Sequence, residues 1–471
     1  MTNPPSIVWL RRDLRLHDHP AFQKARRAGG PVIPLFIYSP DFEGLGAAAK
    51  WRLGESVAHL REDLARIGSK LILRRGDPQT VLDDVMAETG ARRVVWSRAY
   101  DAASIARDAA IKSRLHNQGH EALSVYGTLL FEPWTVETGK GTMFKVYSPF
   151  WRAVRDMPVA TPYPAITSLN APAHWPASDE LGAWQMGAAM GRGAAVLARH
   201  TASGEAAALD KLAAFMDGPI ARYKERRDFM AEAATSGQSE HLTTGEISPR
   251  QLWHSGQAAL AEGKPGAEHF LKELVWREFA WHLMFHTPHI ATSNWRPEWD
   301  GFAWRGAGDD AVAWQRGHTG IAIVDAAMRE LYVTGRMHNR ARMIAASFLT
   351  KHLLVDWRVG QAWFGECLTD WDAASNAMGW QWVAGSGPDA APYFRIFNPE
   401  LQAARFDPDG HYRARWLAHW QETPENTALD FYRAVPKSWG LDPGDRAPAA
   451  IIGLAEGRAR ALMALENSKS K

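Results

Sequence analysis

The chain has 471 residues, 46% of them hydrophobic and 23% charged, which is room for two to four domains of about 100–200 residues each and excludes a fibrous or disordered protein. Its 54 basic and 52 acidic residues leave a formal charge of +2, so any nucleic-acid site must come from charge concentrated locally. The single cysteine, Cys367, excludes an internal disulfide scaffold and a thiolate cluster for zinc or iron–sulfur, and suits a reducing compartment. The polar start, Met1 to Ser6, runs straight into Ile7-Val8-Trp9-Leu10 without the regions of a secretory signal. No apolar run reaches the roughly 18 residues of a membrane span, so a soluble, cytoplasmic protein is expected. The oddity is 22 Trp against 10 Tyr.

Short apolar runs at Ile7–Leu10, Val32–Tyr38, Leu71–Leu73, Val94–Trp96 and Leu123–Tyr126 predict strands. They alternate with helix-like stretches at Trp51–Ile67, Pro78–Ala87 and Ser104–Asn117, the pattern of a parallel α/β sheet. After the first strand the turn reads Arg11-Arg12-Asp13-Leu14-Arg15 rather than GxGxxG, which argues against a nicotinamide or standard dinucleotide site there. Residues from about 158 to 205 are rich in Pro, Ala, Gly and Ser without a steady period and are read as a long inter-domain connection. Beyond Gly204 the periodicity is helical: Glu205–Met216, Ser248–Ala261, Ala267–Phe285, Ile321–Gly335, Asn339–Asp356 and Gln361–Thr369.

Four segments in this second half could carry chemistry. Thr235-Ser236-Gly237-Gln238-Ser239 offers small hydroxyls and a glycine that let backbone N–H groups reach phosphate oxygens, although Ser and Thr also cap ordinary helices. Glu273 and Trp276 share a helix face, where a carboxylate and an indole could hold a nucleobase or simply belong to surface and core. Residues 336–358 carry Arg336, Arg340, Arg342, Lys351 and Arg358 against Asp356 alone, a local +4 that reads as a phosphate-binding patch or a solvated face. Asp370 and Asp372 lie two residues apart in Asp370-Trp371-Asp372-Ala373-Ala374-Ser375-Asn376. Without His or Cys ligands beside them they suit hydroxyl or arginine partners better than a metal.

Taken in order, these segments resemble the DNA photolyase/cryptochrome family. So do Trp9-Leu10-Arg11-Arg12-Asp13-Leu14-Arg15 and Phe144-Lys145-Val146-Tyr147-Ser148-Pro149-Phe150. The likeness runs from Ile7 to about Trp416, is densest over 267–400, and lies nearest the cyclobutane pyrimidine dimer photolyases of class I/III-like bacterial type. It implies an α/β N-terminal Rossmann-like domain (1–130), an inter-domain connection (131–204) and a large all-α FAD-binding domain (205–471). By match, Tyr223, Thr235, Ser236, Gly237, Gln238 and Ser239 would hold the pyrophosphate and ribityl region of FAD, with Phe270 lining the pocket. Arg342, Asp370 and Asp372 would surround the isoalloxazine, and Asn376 would face its N5. Trp380, Trp357 and Trp304, expected to be buried indoles, match the family's electron-carrying tryptophan chain. The family usually shows Leu and Pro where this chain has Gln238 and Glu240.

The resemblance further implies a pocket for a dimer flipped out of damaged DNA. Trp276 and Trp382 would stack on the lesion, Glu273 would hydrogen-bond it, and Asn339 and Met343 would line it, where enzymes of the six-four class carry histidines. Arg227, Arg277, Arg340 and Lys145 would meet flanking phosphates. Reduced FAD, excited by blue light, would pass an electron to the dimer and recover it after the ring splits. For an antenna chromophore, Lys50-Trp51-Arg52-Leu53-Gly54-Glu55-Ser56 resembles a folate-stacking segment, which points to methenyltetrahydrofolate, whereas Ala103-Ser104 replaces the Asn-Glu pair of other folate-binding relatives. A monomer acting on ultraviolet-damaged DNA is expected, with a blue-light photoreceptor on the same scaffold as the alternative.

Overall fold

A computed structural model describes residues 3–469. Strands β1 (Ser6–Leu10), β2 (Val32–Tyr38), β3 (Ile72–Arg75), β4 (Arg93–Ser97) and β5 (Glu121–Val125) form one parallel sheet in the order β3-β2-β1-β4-β5. Alternate residues of β1 feed two cores. Val8 and Leu10 pack with Phe22, Leu53 and Val57 from helices Pro20–Arg27 and Ala47–Arg66. Ile7 and Trp9 pack with Leu82 and Ile111 from helices Pro78–Thr89 and Ala102–Asn117 on the other face. Burial on both faces is why β1 and β2 read as unbroken apolar runs rather than alternating ones.

The Arg11–Arg15 turn joins this sheet to the helical region. Asp13 accepts from the Arg11 backbone N–H at 2.8 Å and from Ser97 Oγ at 2.7 Å, which shapes the turn. Buried Arg15 then donates to Gly245 O at 3.0 Å and Gly127 O at 2.9 Å. Arg250 reaches back to Asp18, and Arg52 of helix Ala47–Arg66 pairs with the fully buried Glu246. Gly245 sits at φ +75, where an added methyl group would strike the Arg12 carbonyl and lie 2.6 Å from Asp13 Cα. Only glycine permits that approach.

The stretch expected as a connection is no free linker. Helix Tyr147–Val154 and Phe131 pack into the same core as Leu274 and Phe279, whereas Ile166, Leu169, Trp184 and Met186 pack against the sheet. From Glu205 the chain is helical, with helix Ala267–His286 at the centre of one core. Helix Pro249–Ala261 starts with a capping box of Ser248 and Gln251, and Gly256 lets Leu271 approach it closely.

One expected helix is divided. The run Asn339–Asp356 is α-helical only to Ser347, continues as a π-helical turn Phe348–His352, and ends with Leu354 at φ +53. The break has a cause in the next helix: Asp356 must be extended to cap Trp357–Cys367, accepting from Arg358 N at 2.8 Å. Apolar spacing persists across the break because both pieces face the same core.

Candidate functional site

The hydroxyl segment enters helix Ser239–Thr244 through Gly237 at φ +61. None of the hydroxyls of Thr235, Ser236 and Ser239 has a partner among the described residues, and all three residues are at least partly exposed. Gln238 and Glu240 turn inward instead: Gln238 Nε2 donates to Ala208 O at 3.0 Å, and Glu240 accepts from Thr369 Oγ1 at 2.6 Å. Behind the segment, Tyr223 and Phe270 meet edge to face at 6.1 Å.

Arg342, Asp370, Asp372 and Asn376 form one polar wall. Arg342 Nη2 reaches both Asp370 oxygens at 2.8 and 3.0 Å while its Nε is held by Met337 O at 2.8 Å. Asp372 caps helix Ala373–Ala384 through Ser375 N at 2.7 Å and accepts from Trp281 Nε1 at 3.0 Å. Buried Asn376 donates from Nδ2 to Asp372 O at 3.0 Å, and its Oδ1 has no donor among the described residues. That fixed amide is oriented to receive a further hydrogen bond.

The three indoles come from three elements that meet at helix Trp357–Cys367. Trp380, on helix Ala373–Ala384, lies over Gly360, where an added methyl group would fall on its ring. Gly360 is one turn beyond Trp357, which is fully buried and donates from Nε1 to Asn294 Oδ1 at 3.0 Å. Trp304 sits on the strand-like segment paired with this helix entry through Arg305 N to Leu354 O at 2.7 Å and Asp356 N to Arg305 O at 2.9 Å. Trp304, expected to be buried, is only partly so: it packs against the core, and its Nε1 is buried without a partner among the described residues.

A second wall comes from helix Ala267–His286. Glu273 forms an ion pair with Arg227. Trp276 stacks face to face on Tyr147, with centroids 3.7 Å apart and planes 8° from parallel. Arg340 pairs with Asp228 at 2.7 Å, so the adjacent residues Arg227 and Asp228 bridge Glu273 to the helix bearing Asn339 and Met343. Asn339 is exposed, and its Nδ2 lies 3.9 Å from Met343 Sδ. Trp382 is half-buried on the helix that also carries Asn376.

A family model described as "DNA photolyase" matches residues 6–167, and one described as "FAD binding domain of DNA photolyase" matches residues 270–467. The deoxyribodipyrimidine photo-lyase of Agrobacterium fabrum is 44% identical over 466 residues, which cover 98% of this chain and 97% of that protein. The chain belongs to the DNA photolyase family. Cryptochrome-1 of Arabidopsis thaliana is 35% identical over 97% of this chain and 69% of that protein. Among solved structures, a bacterial class III photolyase from Agrobacterium tumefaciens matches with a TM-score of 0.92 at 43% identity, over 100% of this chain and 99% of that one.

The residues in hand fit the FAD of the photolyase family: three unpartnered hydroxyls at a glycine turn, a carboxylate–arginine wall and an amide oxygen without a donor. Three features were not evident from the sequence. Lys211, half-buried with no ion-pair partner among the described residues, lies against Gly237. Tyr147 backs Trp276, a role its motif Phe144–Phe150 does not disclose by itself. Glu273 is tied to Arg227.

The +4 patch of residues 336–358 is not a patch in the structure. Arg336 donates to His200 O at 2.7 Å, Arg340 and Arg342 are paired with Asp228 and Asp370, and Arg358 turns to Asp356 and Thr292 O. Lys351 is 1% exposed and donates to Ala384 O at 2.8 Å, so it is sealed from any phosphate. Helical turns and the π turn spread these cations over different faces, each beside its own acceptor. Arg277 likewise lies 3.1 Å from Glu278. Burial pushes the Glu278 carboxyl up to about 7, against the pull of Arg277 and of the Leu130 and Phe131 N–H groups.

Proposed function

We propose that this photolyase repairs cyclobutane pyrimidine dimers in DNA under light. The observation that carries the reading is the second wall, where the adjacent Arg227 and Asp228 tie Glu273, on the helix of Trp276, to the helix of Asn339 and Met343, with no histidine at 339 or 343. Trp276 is stacked on Tyr147 and only partly buried, so part of its indole is available to a base. Glu273 uses Oε1 for Arg227 and keeps Oε2 to accept from a base N–H. Extruding a lesion costs a few kcal/mol, and stacking on Trp276 and Trp382 at about 1–3 kcal/mol per base is of the size needed to offset it.

The hydroxyl segment and the Arg342–Asp370 wall would hold FAD, which when bound and reduced would supply light-driven one-electron chemistry for opening the cyclobutane ring. Thr235, Ser236 and Ser239 would donate to its phosphates, and Asn376, whose Nδ2 is held by Asp372 O, would offer its amide oxygen to the flavin. Trp380, Trp357 and the partly buried Trp304 would form the route by which an external reductant keeps the bound cofactor reduced. For phosphates beside the lesion, Arg277 and Lys145 are the available cations, while Arg227 and Arg340 brace the pocket. An antenna folate would rest on Trp51, a half-buried indole with no ring partner among the described residues, whose edge abuts Gly187 where any side chain would collide. The protein acts as a cytoplasmic monomer; no described helix is long and apolar enough to cross a membrane.

The test is repair of an oligonucleotide carrying one cyclobutane thymine dimer, with reduced protein, in blue light and in a matched dark control. Light-dependent recovery of intact thymines is expected. No recovery despite bound, reduced FAD would overturn the repair reading and favour a photoreceptor.

A further inference from the structure

Against the hydroxyl segment lies a cluster of charges that neither wall uses. Lys211, on helix Glu205–Asp217, runs its stem along the Gly237 turn: an added methyl group there would lie 3.1 Å from Lys211 Cδ and 3.9 Å from its Nζ. Glu240, three residues beyond the glycine, is fully buried, and its carboxylate is already engaged. Thr369 Oγ1 donates to Oε1 at 2.6 Å, and Arg336 Nη1 stands 3.4 Å from Oε2. Further along, Glu246 is paired with Arg52, and burial holds the adjacent His241 below the usual histidine range, so that it is neutral. Three cations, Arg52, Lys211 and Arg336, therefore accompany two carboxylates, Glu240 and Glu246. The cation left without a partner among the described residues is Lys211.

An anion at the turn would use that surplus. The cations of the neighbouring walls are each held by a carboxylate, Arg227 by Glu273, Arg340 by Asp228 and Arg342 by Asp370. The hydroxyls of Thr235, Ser236 and Ser239 bring dipoles to a phosphate but no net charge. Lys211 is half-buried, and desolvation draws its ammonium below the usual lysine range against the pull of Glu240. A partly desolvated cation with no partner is stabilised by an anion bound beside it.

We propose that Lys211 is the counter-charge of the FAD pyrophosphate and that Glu240 moderates it, so that this pair sets how strongly the site prefers FAD to a flavin without phosphates. The proposal rests on the reading of the hydroxyl segment as the seat of the pyrophosphate. The experiment titrates the full chain, freed of flavin, with FAD and with riboflavin, which lacks the pyrophosphate, and follows the quenching of flavin fluorescence.

Lys211→Met should weaken FAD binding about tenfold, the size of one unit charge acting through a partly buried medium, and leave riboflavin binding as it was. Lys211→Arg should keep the wild-type preference. Glu240→Gln retains an oxygen for Thr369 and removes the opposing charge, so it should tighten FAD binding by about threefold to tenfold, a gain that misfolding does not produce. A Lys211→Met protein that binds FAD as wild type does, or that loses FAD and riboflavin equally, would overturn the assignment. If wild type binds riboflavin as tightly as FAD, the pyrophosphate seat itself falls and the proposal with it.

Discussion

Glu278→Gln should change how stability depends on pH. The Glu278 carboxylate is 3% exposed on helix Ala267–His286, accepting from Leu130 N at 2.7 Å and Phe131 N at 3.3 Å. Burial raises it from 4.5 to about 7 in the folded protein. Between those two values the native state holds a proton that the unfolded chain has released, so stability is full below about pH 4.5 and falls as pH climbs through 7. At about 1.4 kcal/mol per pH unit, that gap amounts to about 3 kcal/mol. Glutamine keeps the accepting oxygen and cannot ionise, so the variant should gain about 3 kcal/mol on wild type between pH 4.5 and pH 8. Urea unfolding of both proteins at several pH values, followed by tryptophan fluorescence, measures the difference, because every other titrating group cancels. The same ionisation gives Arg277 an anionic neighbour, so wild-type affinity for DNA should fall as pH rises through 7, and the variant's should fall less. Parallel stability profiles for the two proteins would refute the reasoning.

Gly360→Ala puts a methyl group on the Trp380 ring and 2.7 Å from Leu349 Cδ2; overpacking of this kind costs about 1–3 kcal/mol. Photoreduction of oxidised flavin should slow while flavin content is kept, and normal photoreduction would point to an electron route that avoids Trp380. Glu273→Gln should lower the yield of dimer repair per absorbed photon with bound-flavin absorbance unchanged, since the Arg227 ion pair and the charge offered to the base are lost together. Gly245→Ala combines left-handed backbone strain of about 1–2 kcal/mol with a collision against the Arg11–Arg15 turn. A clear drop in thermal midpoint with weakened flavin retention is expected, and a fully stable variant would show that the two regions do not meet there.

How much could be read in advance depends on range. The strands Ile7–Leu10 and Val32–Tyr38 were legible because a doubly covered parallel strand is apolar at every position, and Glu273 with Trp276 because helical spacing alone puts them on one face. The segments around Thr235, Arg342, Asp370 and Asn376 were legible as an ordered set of motifs. What the chain could not reveal is which groups neutralise one another. Arg340 and Asp228, or Arg227 and Glu273, are far apart in sequence and meet only because helices pack, so five cations that looked like a patch prove to be dispersed. The π turn at Phe348–His352 was hidden because its apolar spacing matches a continuous helix. The contact of Lys211 with the Gly237 turn was invisible for the same reason as the pairs: only packing brings that helix to the turn. Sequence by itself determined which face of each element is apolar and which segments carry the motifs, since those depend on local geometry. Tertiary structure decided which charges remain free, because pairing depends on distances that only packing sets.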